Sequence, residues 1–92
     1  MIKGEFERKV MYGNSKEVFI MPEMDYSKLK GRIAQKGLNQ KDLASLIGVS
    51  EGQFSKKMSG EYVFKQSEIL KICNILDIAA SQIGEYFFSR KG

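Results

Sequence analysis

The chain has 92 residues, 42% of them hydrophobic and 28% charged, the balance of one small globular domain. A domain of this size buries only about 60–65% of its unfolded surface, so its core is small. No apolar run approaches the roughly 18 residues of a membrane helix, and Lys3, Glu5, Glu7, Arg8 and Lys9 stand where the apolar stretch of a signal peptide would begin.

A soluble, cytoplasmic protein with no membrane partner is therefore expected. One cysteine and no histidine exclude an intrachain disulfide and a Cys/His metal site. There is no phosphate-cradling glycine loop and no paired nucleophile and base, so no enzyme, small-molecule substrate or cofactor is expected. The net charge is +4, from 15 basic and 11 acidic residues. Residues 1–24 hold four of each, which leaves eleven basic against seven acidic downstream. A basic domain is compatible with nucleic acid, although this excess is small.

Pro22, the single proline, divides the chain. Residues 1–23 form an N-terminal extension in which two runs flank Gly13-Asn14-Ser15, the pattern of a short β-hairpin. A flexible tail is the alternative, and a natural start at Met24 is a third reading. Residues 24–92 read as helix throughout. Helix 1 begins near Asp25 or Ser27 and runs to Lys36, with Tyr26, Leu29 and Ile33 inward and Gly37 as its stop. Helix 2 follows Asn39, an N-cap, and turns Leu43, Ala44 and Ile47 inward.

Gly48-Val49 makes a tight turn. Ser50 caps helix 3, with Gln53 in the capping-box position, Phe54 and Met58 pointing to the core and Gly60 at the end. Helix 4 spans Gln66 to Leu76. Its stripe of Ile69, Ile72, Cys73 and Leu76 makes Cys73 a buried structural thiol with no histidine to activate it. Helix 5 covers Ser81 to Phe88. Of Tyr86, Phe87 and Phe88, one or two belong to the core and the remainder is available for a dimer contact.

The segment from Asn39 to Gly60 meets the requirements of a helix-turn-helix. Ala44 is small where the two helices approach, Gly48 tolerates a positive φ, and Val49 plugs the joint. Phe54 and Met58 anchor a second helix whose other side chains are short or polar. On "GLNQKDLASLIGVSEGQFSKKMSG", with Leu29 and Ile33 before it and "EILKICNILDI" after it, the chain resembles the Cro/repressor-type (XRE, lambda-repressor-like) helix-turn-helix family. The tail resembles a subgroup of small phage and prophage regulators. The resemblance covers about residues 25–88.

It implies an all-α, five-helix lambda-repressor-like domain that binds a double-stranded DNA operator as a homodimer, with half-sites about one helical turn apart. Gln40 would donate to a phosphate at the N-terminus of helix 2. Ser50, Glu51, Gly52, Gln53, Ser55 and Lys56 would line the recognition helix. Gln53 suits adenine, Lys56 guanine and Glu51 cytosine, whereas Gly52 has no side chain to read with. Lys57 and Tyr62 would meet the backbone. Lys30, Arg32, Lys36, Lys41 and Lys65 divide between phosphate contacts and solvated decoration. "MSG" departs from the family's usual helix ending and sets the contacts of Lys56 and Lys57 apart from those of Gln40 and Gln53.

The expected function is a sequence-specific transcriptional regulator. The alternative is a protein-interaction module, such as an antitoxin or anti-repressor, that uses residues 1–23 or the C-terminal aromatic residues.

Overall fold

The computed structural model describes residues 7–11 and 18–91. Strands β1 (Glu7–Met11) and β2 (Val18–Pro22) pair antiparallel, with Glu7 opposite Pro22 and Met11 opposite Val18. The expected turn at Gly13-Asn14-Ser15 lies outside the described residues. Pro22 takes the last strand position, where its missing N–H costs the ladder least.

Five helices follow: α1 (Ser27–Gln35), α2 (Gln40–Ile47), α3 (Glu51–Met58), α4 (Gln66–Leu76) and α5 (Ile83–Phe87). A 3₁₀ turn over Ala80–Gln82 leads into α5, so the last helical segment begins one residue before the expected Ser81 but is α-helical only from Ile83.

The helices converge on one core. Leu29 and Ile33 come from α1, Leu43, Ala44 and Ile47 from α2, Phe54 and Met58 from α3, Ile72, Cys73 and Leu76 from α4, and Phe87 from α5. Burial pushes the Cys73 thiol pKa up, which keeps it protonated and in keeping with a packing role. Phe64, in the loop between α3 and α4, is the aromatic hub. Its ring meets Tyr26 at 5.4 Å, Phe54 at 6.0 Å and Phe87 at 5.4 Å, each edge to face. Such pairs add about 0.5–1.5 kcal/mol each beyond the area they bury. Sequence reading gave Phe64 no role because it lies between helices, outside any helical stripe.

The last turn of α1 is fastened to the end of α4. Arg32 donates from Nε to the Leu76 carbonyl (2.9 Å) and from Nη2 to the Asp77 carbonyl (3.1 Å). Lys36 Nζ donates to Asp77 Oδ2 at 2.7 Å and holds that carboxyl below the usual carboxylate range. Arg32 therefore caps the carbonyl end of α4, and Lys36 binds the Asp77 carboxylate there, at an end where positive charge is favoured. This corrects the expectation that grouped Arg32 and Lys36 with backbone-contacting or freely solvated charges. Asp77 itself closes α4 in the left-handed region, at φ 54°, a role glycine usually fills.

The two ends of the helical unit are stitched together. Met24 and Arg90 form an antiparallel bridge, the Asp25 N–H donates to the Ser89 carbonyl (2.7 Å), and the Lys91 N–H donates to the Glu23 carbonyl (2.9 Å). Lys91 and Glu23 also pair through their side chains at 3.2 Å.

Candidate functional site

The site is assembled by α2, a three-residue turn and α3. Asn39 adopts extended backbone, and its side chain accepts the Asp42 N–H at 2.8 Å while Asp42 Oδ2 accepts the Asn39 N–H at 3.2 Å. This reciprocal box fixes the entry of α2 and leaves Gln40 half-buried at its first turn, with Lys41 exposed beside it. Gly48 ends α2 at φ 82°, and the Val49 N–H returns to the Ala44 carbonyl at 3.0 Å. A side chain in that conformation would be strained, which is why glycine stands at the turn. Val49 packs against the core. Ser50 Oγ then accepts the Gln53 N–H at 3.1 Å and starts α3.

On α3, Phe54 and Met58 are buried, Gln53 is half-buried, and Glu51, Gly52, Ser55 and Lys56 are exposed. Nothing lies within 4 Å of the position a Cβ on Gly52 would take, so the backbone there is open to close approach. Lys56 Nζ sits 5.3 Å above the half-buried Tyr62 ring, a cation–π contact that restrains both at the rim. The structure thus brings Gln40, Lys41, Ser50, Glu51, Gly52, Gln53, Ser55, Lys56 and Tyr62 onto one helix-turn-helix unit and its following loop.

Lys57 is the exception. Sequence reading placed it on the exposed flank as a backbone-contacting cation, whereas its side chain is 3% exposed and its Nζ lies 2.8 Å from Glu68 Oε1. A lone ammonium could not be buried so deeply; the Glu68 carboxylate and the Val63 carbonyl, at 3.3 Å, supply its partners. Lys57 is therefore unavailable to any ligand. Its removal from the surface changes the electrostatics of the unit. From Gln40 to Met58 the exposed charged residues are Lys41, Asp42, Glu51 and Lys56, two of each sign, so the face is neutral in sum.

Leu46, near the end of α2, lies outside the inward stripe of Leu43, Ala44 and Ile47 and is 58% exposed. Of the C-terminal aromatic residues, Phe87 is buried, Tyr86 packs half-buried against the core, and Phe88 is 57% exposed. Among the described residues no group of three or more His, Cys, Asp or Glu side chains could hold a metal ion, and no helix is long and apolar enough to cross a membrane.

The family described as "Protein of unknown function (DUF739)" matches residues 22–90. The solution structure of the modulator of repression (MOR) of the temperate bacteriophage TP901-1 from Lactococcus lactis is similar to 71% of this chain and 88% of its own, at 37% identity and a TM-score of 0.62. No curated protein matches. The chain belongs to the DUF739 family.

Proposed function

We propose that this member of the DUF739 family is a small phage or prophage regulator of transcription, acting through the exposed flank of α3. The observation that carries the reading is the division of α3: Phe54 and Met58 are held in the core while Gln53, Ser55 and Lys56 lie on the other flank of a helix whose start Ser50 caps. The similarity to a phage modulator of repression supports a regulatory role.

In the first reading the ligand is operator DNA, bound by a two-fold dimer of a Cro/repressor-type domain. Gln40 and Lys41 contact phosphates, Gln53, Ser55 and Lys56 discriminate bases, and Tyr62 meets the sugar-phosphate backbone. No catalytic step is involved.

The neutral sum of the α2–α3 surface favours a second reading, in which the same flank meets a regulatory protein. A gel shift against the DNA flanking the gene, run at several salt concentrations, separates the two. DNA recognition requires specific binding that weakens with salt, and Gln53→Ala should lower discrimination by roughly 1–3 kcal/mol. With only two exposed lysines on the unit, the salt slope should correspond to about two to four phosphates. Absence of any sequence preference at low salt, with the fold intact, would leave the protein-contact reading.

A further inference from the structure

We propose that the buried Lys57–Glu68 pair is a positioning device that sets the orientation of α3 on the rest of the domain. Among residues 23–91, Lys57 and Glu68 are the only buried charged residues. Three elements meet on them. Lys57 occupies the penultimate position of α3, its Nζ donates to the Val63 carbonyl of the connecting loop, and it pairs with Glu68 in the first turn of α4. Glu68 Oε1 also accepts the Lys65 N–H at 2.8 Å, so the same oxygen caps the start of α4.

Phe54 and Met58 hold α3 by apolar burial, which resists separation without a preferred direction, and one edge-to-face pair, Phe54 with Phe64, adds orientation at a single point. A charge-assisted hydrogen bond has a direction and a length. Burying an ion pair adds little stability over apolar residues of the same size, so its distinctive contribution here is geometric. A rotation of α3 would stretch the Lys57 contacts to both the loop and α4, and would carry Gln53, Ser55 and Lys56 out of register with Gln40. The orientation follows from the contacts alone; its consequence at DNA rests on the function proposed above.

The test uses the full chain. In K57M/E68Q the methionine replaces the lysine stem and the glutamine keeps an oxygen for the Lys65 N–H, while the ionic link is gone. In E68D the charge is kept and the reach is shortened by one methylene. Residual dipolar couplings report the angle of α3 against α4, and binding is read as the ratio of operator to random-sequence affinity. The expected result is a changed α3 orientation in both variants, with unchanged couplings in α1, α2 and α4. Where the wild type binds DNA specifically, the ratio should fall by about tenfold while random-sequence affinity is unchanged.

Wild-type α3 couplings in both variants would overturn the proposal, and E68D decides it alone if K57M/E68Q does not fold. A wild type that shows no specific DNA binding would instead refute the functional reading, and the couplings would still decide this one.

Discussion

The ring of Phe64 meets that of Phe87 edge to face, with centroids 5.4 Å apart and planes at 86°, joining the loop after α3 to the last helix. Tyr26 and Phe54 pack on the same Phe64 ring. Phe64→Ala removes all three contacts and opens a cavity at the meeting point of four segments. It should cost about 3–5 kcal/mol, measured by urea unfolding. Phe64→Leu should cost less, because it restores part of the volume but none of the edge-to-face geometry.

Lys57→Ala should act on the fold and only secondarily on ligand binding. It strands the Glu68 carboxylate in the interior and should lower stability by about 3–5 kcal/mol. Lys56→Ala, one residue away and exposed, should leave the unfolding free energy within about 0.5 kcal/mol of wild type. Equal stability of the two variants would contradict the burial of Lys57.

Two glycines in the helix-turn-helix unit should respond in opposite directions. Gly48→Ala places a Cβ at φ 82° and should destabilise by about 1–2 kcal/mol. Gly52 has ordinary helical backbone and open space around it, so Gly52→Ala should be neutral to stabilising by up to about 1 kcal/mol. If the ligand approaches the α3 backbone closely, the same Gly52→Ala variant loses affinity while gaining stability, a combination that thermal melts and binding titrations together would detect.

Burial pushes the Tyr26 phenol pKa up to about 12. An unfolded tyrosine ionises near 10, so between these values the folded chain retains a proton that the unfolded chain has lost. Stability is unaffected by this group below about pH 10 and should fall by about 1.4 kcal/mol per pH unit between 10 and 12. Absorbance at 295 nm should show a late-titrating tyrosine, and Tyr26→Phe should remove both that step and its share of the alkaline loss. A Tyr26→Phe titration identical to wild type would show that the phenol is not sequestered.

The helices and their caps were legible because each rests on local chemistry: Asn39 and Ser50 at helix starts, Gly48 at the turn, and apolar residues at spacings of three and four. The outward set of Gln53, Ser55 and Lys56 followed from the same spacing. The inward place of Lys57 is marked by its position but masked by its charge. Lys57 lies three residues after Phe54 and next to Met58, within the inward stripe of α3, and charge alone argued for the surface. Its partner is eleven residues away across a loop, so nothing local marked the pair. Phe64 and the Arg32 contacts to α4 were hidden for the same reason: they are long-range relationships between segments that appear unremarkable on their own.

The bridge between Met24 and Arg90, flanked by the Asp25–Ser89 and Lys91–Glu23 hydrogen bonds, gives the helical unit a shared doorway for entry and exit. A unit whose two ends leave side by side can be grafted into an exposed loop of a host protein without prising that loop apart. It also means that bulky fusions at residue 22 and residue 91 would jostle each other, whereas a short tether joining them would permit new termini to be cut elsewhere in the ring.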